Sequence, residues 1–367
     1  MILSFNKILS EALKTNTKGY LSFDPVPAGL LRADLGENAL GFSPKVLYKL
    51  KNLSHNISEY PIKETVALGR ALSQKFQLPT DQILASCGID ELISIIVRGC
   101  INPGDTVLAV VPTFYRLLEW SRLAGSTVTK VPLSLSDRFE FTNNVRDEVI
   151  AVGKKTNAKI VFLCNPNNPA GTVIPLPHID HIARHLAETW IVVDEAFYEF
   201  LDSESKMSAV QLLQEHKNII VLRSFSKSYG LASIRCGFLM GNAELVGRLN
   251  AIASPFAVSG ISATLAMTVL SDKRHIRSVA IKTRLLRKEF ISDIQSLSHI
   301  ELGSYSQTNI ILLRHTSKDL FSELKKQKIL TADFRNIEGI EGLGFVRLTI
   351  QTRRDNKKIV IALKKIN

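Results

Sequence analysis

Along residues 80–240 short apolar runs alternate with stretches in which apolar residues recur every three to four positions. That alternation predicts a mostly parallel sheet covered by helices on both faces. Four runs carry the strand signal: residues 107–111 (VLAVV), 160–164 (IVFLC), 191–194 (IVVD) and 219–223 (IIVLR). They are β-branched and lack polar alternation, so both faces of each strand are expected to be buried. Helices are expected between them over residues 90–98, closing at Gly99, over 114–124, closing at Gly125, and over 176–189, opened by Pro175 and Pro177. Each strand run leads into polar residues, and open sheets of this kind bind ligands at the carboxyl ends of their strands.

Beyond residue 260 the texture changes. A helical pattern rich in Lys and Arg over residues 263–296 precedes two strand-like runs, 309–314 (NIILLR) and 345–350 (FVRLTI), with a helix between them. The chain is therefore expected to be α/β, with an amino-terminal arm over residues 1–33, a large mostly parallel-sheet domain over 34–258 and a smaller carboxy-terminal α+β domain over 259–367. In the arm, Ile2, Phe5, Leu9 and Leu13 recur at the spacing of an amphipathic helix. The arm lacks the basic leading region and small-residue cleavage site of a signal peptide. No apolar run reaches the ~18 residues that a membrane-spanning helix needs.

Composition narrows the function. Hydrophobic residues make up 45% of the 367 and charged residues 22%, which excludes a disordered or fibrous chain. The net charge of +12 is spread along the chain and forms no basic stripe with interleaved aromatics, so a basic surface that draws in anionic substrates is expected rather than a nucleic-acid partner. Cys87, Cys100, Cys164 and Cys236 are far apart, which fits buried apolar positions in the cytoplasm better than disulfides or zinc. His178, His181 and His185 lie at helical spacing without an acidic partner, the pattern of a solvated helix face rather than a metal site.

The chemistry gathers after the strands. Residues 223–237 (RSFSKSYGLASIRCG) begin where a buried strand ends, and Lys227 stands between Ser224 and Ser226 on one side and Arg235 on the other. Two hydroxyls and a guanidinium are the donors a phosphate ester wants. A lysine among them suggests an amine condensed with an aldehyde on a phosphorylated cofactor. Residues 165–172 (NPNNPAGT) follow the strand ending at Cys164, and Asp194 closes the strand before residues 195–198 (EAFY). Taken singly, these read as a turn and a helix cap.

In this order and spacing the segments resemble the fold-type I pyridoxal 5′-phosphate (PLP) aminotransferases, in the branch that holds histidinol-phosphate aminotransferase and threonine-phosphate decarboxylase. Residues 37–45 (ENALGFSPK), Tyr60-Pro61, residues 87–91 (CGIDE) and 111–114 (VPTF) match further segments of that branch, so the resemblance covers nearly the whole chain. It implies that Lys227 holds PLP as a Schiff base and relays protons, and that Asp194 keeps the pyridine nitrogen protonated. Asn168 would donate to the ring's O3′ and Phe114 would stack on the ring face. Ser224, Ser226, Arg235 and the backbone amides of Ile89 and Asp90 would hold the phosphate, with Tyr60 reaching it from the neighbouring subunit of a homodimer. Asn38 and Arg347 would bind substrate, Arg347 through a carboxylate. The implied function is an aminotransferase acting on an anionic amino acid or amino phosphate, most like histidinol-phosphate aminotransferase with 2-oxoglutarate as acceptor. The alternative is a decarboxylase of threonine phosphate or serine phosphate. Neither implies a nucleic-acid or membrane partner.

Three positions depart from the resemblance. Phe197 stands where aminotransferases usually carry Tyr, whereas the decarboxylases often carry Phe, and the missing hydroxyl removes a charge-assisted hydrogen bond to O3′ worth roughly 1.5–3 kcal/mol. Ala39 replaces a proline. Ala332 stands where relatives place an arginine toward the substrate's distal phosphate, with Arg335 as the candidate replacement.

Overall fold

A computed structural model describes residues 29–53, 57–201 and 208–367; the amphipathic helix expected in the arm lies outside them. In chain order the strands are β1 (Leu31–Ala33), β2 (Ile83–Ser86), β3 (Thr106–Val111), β4 (Thr127–Pro132), β5 (Ile160–Cys164), β6 (Trp190–Asp194), β7 (Ile219–Ser224), β8 (Gly237–Met240), β9 (Ile300–Leu302), β10 (Ile310–His315), β11 (Ile329–Asp333) and β12 (Val346–Thr349). The four strongest strand signals become β3, β5, β6 and β7 of a seven-stranded sheet of order β2-β8-β7-β6-β5-β3-β4. Strands β3 to β7 run parallel, and β8 runs against both β7 and β2.

Alternation along a strand sends successive side chains to opposite faces. In β5, Val161 and Leu163 enter one core with Val149 and Ile179. Ile160, Phe162 and Cys164 enter the other with Leu92, Ile96 and Leu249. Each of these fully buried side chains contributes about 1.5–3 kcal/mol relative to exposure. The parallel run therefore has to be apolar throughout. Its consequence for function is geometric: β3, β5, β6 and β7 all deliver their carboxyl ends to one edge.

Several element boundaries differ from the sequence expectation for local reasons. The helix expected to reach residue 189 is Leu176–His185, because the side-chain amide of Asn218 donates to the carbonyls of Ala183, Leu186 and Thr189 and closes the helix early. The helix expected from residue 114 is Arg116–Leu123. The long pattern over 263–296 divides into Gly260–Leu270 and Lys273–Ile294, where the Asp272 side chain accepts from the His275 N–H and caps the second helix.

The second sheet has the order β1-β11-β12-β10-β9 and packs on Lys273–Ile294, Leu320–Lys326 and Arg353–Ile366. Residues 31–33, expected as the end of the arm, instead form strand β1, which pairs in parallel with β11 and so completes the carboxy-terminal sheet. Helix Gly260–Leu270, expected with the carboxy-terminal unit, packs instead on Ile62–Phe76, and its Ala263, Ala266 and Val269 share the core of the larger sheet.

Two surface expectations are corrected. Cys87 is exposed and Cys100 half-buried, while Cys164 and Cys236 are buried; Cys87 lies in the turn just past β2. His178 leaves the solvated face to pack 5.6 Å from the ring of Phe141. On the same helix Asp180 holds His216 at 2.7 Å, and Arg184 pairs with both Asp180 and Glu215, making this an ion-pair cluster. Among the described residues no helix is long and apolar enough to cross a membrane.

The segment after β1 crosses over the loop that follows β7. The Asn38 side-chain amide donates to the carbonyls of Gly41 and Ser228, and Gly230 has φ +71 with the Gly41 carbonyl oxygen 2.5 Å from where a Cβ would sit. Gly230→Ala is therefore expected to cost about 2–3 kcal/mol through backbone strain and collision. A melting temperature lowered on the order of 5 °C in thermal denaturation would agree, and an unchanged one would show that the crossing is loose.

Candidate active site

Strand β7 ends as Phe225 drops into the core and its N–H bonds the Cys236 carbonyl. The chain then turns, with the Ser226 N–H donating to Ser224 Oγ at 3.0 Å and the Gly230 N–H to the Lys227 carbonyl at 2.9 Å. This turn aims Lys227 inward. Its Nζ donates to the Leu35 carbonyl at 2.8 Å and lies 5.3 Å from the centre of the Phe197 ring. Burial lowers the ammonium to about 8, and the charge of Arg347 adds to the effect against Glu37 and Asp194. An amine held near neutrality is a competent nucleophile and base.

Asp194 closes β6 only 3% exposed. The Ala196 N–H donates to its Oδ1 at 2.9 Å. Burial raises the carboxyl to about 6, with Glu195 adding and Lys227 opposing. Among the described residues no basic side chain forms an ion pair with it. A buried carboxylate in that position favours a protonated nitrogen placed against it.

Arg347 sits in β12 at 1% exposure, opposite Ala332 of β11. Its Nη1 donates to Asn168 Oδ1 at 2.7 Å and its Nη2 to the Asp34 carbonyl. The two sheets thus meet at the loop after β5, where the Ser304 hydroxyl also donates to the Ala170 carbonyl at 2.5 Å. Arg335 does not stand in for the missing arginine: its guanidinium is forked onto Asp333 and also bonded to Asp319.

The anion-binding end forms at the amino terminus of helix Ile89–Cys100, where the dipole and the first N–H groups favour negative charge. Gly88 precedes it at φ +97, and a Cβ there would lie 2.8 Å from Arg235 Nη2, so the guanidinium rests against the bare glycine. The Asp90 carboxylate is engaged by Arg116 at 2.7 and 3.1 Å, which leaves its backbone as the part turned to an anion. Phe114 packs edge-on to Tyr115 at 5.5 Å. Phe197 is buried, and Tyr198 is turned away onto the Arg223 guanidinium at 3.8 Å, so no hydroxyl from it replaces the missing one. Asn38 spends its amide on the backbone crossing described above. Tyr60 is 76% exposed and stacks on Phe256, outside this cleft.

These groups fit pyridoxal 5′-phosphate. A cradle of helix amides, Ser224, Ser226 and Arg235 suits its phosphate, Asp194 its ring nitrogen and Lys227 its aldehyde. Sequence reasoning passed over Arg223, Glu195 and Glu199, which form a buried cluster behind the site; the one available signal was a charge ending the otherwise apolar run of β7.

The sequence profile of the family described as aminotransferase class I and II matches residues 33–366. Histidinol-phosphate aminotransferase 2 of Bacillus cereus is 32% identical over 333 residues, spanning 89% of this chain and 86% of that protein. The solved structure of histidinol-phosphate aminotransferase from Sinorhizobium meliloti in complex with pyridoxal 5′-phosphate superposes with a TM-score of 0.83 at 21% identity, covering 100% of this chain and 99% of that one. L-threonine-O-3-phosphate decarboxylase from Porphyromonas gingivalis superposes at 0.80 with 22% identity, covering 92% and 99%. The two superpositions establish the fold.

The raised carboxyl of Asp194 carries a pH signature. Its folded value, about 6, lies above the ordinary 3.8, so the stability it contributes is present below about pH 4 and lost as pH rises through 6. In cofactor-free chain, denaturant unfolding is expected to show wild type losing about 2–3 kcal/mol relative to Asp194→Asn across that window. Parallel profiles would place the carboxylate in contact with water.

Proposed function

Because the chain belongs to the class I and II aminotransferases and works with pyridoxal 5′-phosphate, we propose that it transfers the amino group of histidinol phosphate, or of a closely related anionic amino acid or amino phosphate, with 2-oxoglutarate as acceptor. The cofactor supplies an electron sink, a protonated ring that accepts the electron pair left when a bond to the substrate Cα breaks. Lys227 anchors the cofactor at rest and, once the substrate amine has taken its place, its neutral amine removes the proton from the substrate Cα. Asp194 holds the proton on the ring nitrogen. Asn168 donates to the ring oxygen, Phe114 covers the ring face, and Ser224, Ser226, Arg235 and the amides of Ile89 and Asp90 hold the phosphate. Arg347 offers its fork to a carboxylate such as that of 2-oxoglutarate, beside the segment held by Asn38.

The observation that carries this reading is the burial of an amine, Lys227, and an acid, Asp194, at the ends of neighbouring strands, each moved toward neutrality. The exposed apolar side chains of Tyr48, Leu50, Tyr60, Ile62 and Val66 support a homodimer in which Tyr60 of each subunit reaches the phosphate held by the other. We assign the enzyme to the cytoplasm. Phe197 favours a second reading, decarboxylation of threonine phosphate or serine phosphate by the same lysine and acid. The difference lies in which substrate bond is held perpendicular to the ring.

Incubation of holoenzyme with histidinol phosphate and, separately, threonine phosphate tests this. The aminotransferase reading predicts conversion of the cofactor to its amine form with histidinol phosphate and recovery of the aldehyde form on adding 2-oxoglutarate. Release of carbon dioxide from threonine phosphate without that conversion would establish the decarboxylase instead.

A further inference from the structure

A second buried polar cluster adjoins the site, centred on Arg223, whose side chain is 4% exposed. Its Nε and Nη2 meet Glu195 Oε2 at 2.8 and 2.7 Å, and its Nη1 meets Glu199 Oε1 at 2.5 Å. Nη2 also donates to Ser208 Oγ at 2.9 Å, and the ring of Tyr198 covers the guanidinium. Glu195 accepts further bonds from the Ser208 hydroxyl and the Ala209 N–H. Glu199 is approached by the hydroxyls of Ser228 and Tyr229 at 3.4 Å. Two carboxylates share one guanidinium in a space that water barely reaches, so the fork is tightly held at both ends.

The sequence neighbours of this cluster are the groups that face the cofactor. Glu195 follows Asp194, Glu199 lies two residues past Phe197, Arg223 precedes Ser224, and Ser228 follows Lys227. We propose that Arg223 is a positioning residue: its fork between Glu195 and Glu199 locks the segment after β6 to the end of β7, from which the Lys227 loop starts, and so sets the Lys227 amine relative to the Asp194 carboxylate. The inference rests on the proposed function for its catalytic meaning and on the geometry of the chain alone for its structural meaning. A lysine at 223 keeps the charge but, as a single point donor, cannot span both carboxylates in one plane. A neutral amide at 199 keeps the shape of the second arm and removes its charge.

Arg223→Lys and Glu199→Gln separate positioning from bulk stability. In chain stripped of cofactor with hydroxylamine, acetic anhydride labelling of Lys227 followed by mass spectrometry gives the amine's titration midpoint, expected near 8 in wild type. Loosening the loop admits water, and both variants are expected to move that midpoint up by about one unit. In holoenzyme, the rate of the first half-reaction per bound cofactor is expected to fall roughly 10- to 100-fold with substrate affinity little changed. Wild-type midpoint and wild-type rate per bound cofactor in both variants, whatever their melting temperatures, would overturn the role; should Arg223→Lys fail to fold, Glu199→Gln decides. If wild type itself takes up no PLP, the proposed function falls while the labelling midpoint still decides the role of Arg223.

Discussion

A carboxyl and an amine withdrawn from water, close enough for each to shift the other, set the terms for everything around them. Neither charge is comfortable at that depth. Burial drives Asp194 toward its acid and Lys227 toward its free base, and among the described residues Asp194 accepts from the Ala196 N–H and Lys227 donates to the Leu35 carbonyl. Such a pair stores a demand for a ligand with complementary chemistry, an acidic ring N–H on one side and an electrophilic carbon on the other.

The fold meets the cost of holding that pair by making its supports rigid. Consecutive parallel strands in strict register place Cys164, Asp194 and Leu222 side by side, so the loops that follow start from fixed positions. The second sheet closes the cleft from the other side through Arg347 on Asn168 and Ser304 on Ala170. The Gly36 N–H bonds Thr349 Oγ1 at 3.0 Å and the Asn309 amide holds the Glu37 carbonyl at 2.9 Å, so the chain entering from β1 is tied to the same sheet. Behind the loops, the Glu195, Arg223 and Glu199 cluster joins the strand ends on which the acid and the amine sit.

How much of this was legible in the sequence follows from the range of the forces involved. Continuous β-branched runs announce central strands, and β5 falls on residues 160–164 as expected. Strands β1, β2, β4, β8, β9 and β11 were not anticipated because they are short or mixed in polarity, and partners far along the chain decide them; Thr127–Pro132, for example, follows the register of β3. The residues of the loops after β5, β6 and β7 stood out because their types match a phosphorylated aldehyde. What could not be read was how side chains are spent: Asn38 on its own backbone crossing, Arg335 on Asp333 and Asp319, and Arg223 on two glutamates brought in from another strand end.

The most direct measurement of the central claim is to add pyridoxal 5′-phosphate to the purified chain, reduce with borohydride, digest and map the modified peptide. A yellow protein before reduction and a single pyridoxyl group on Lys227 after it are the expected result. A colourless protein, or label distributed over surface lysines with residue 227 unmodified, would contradict it.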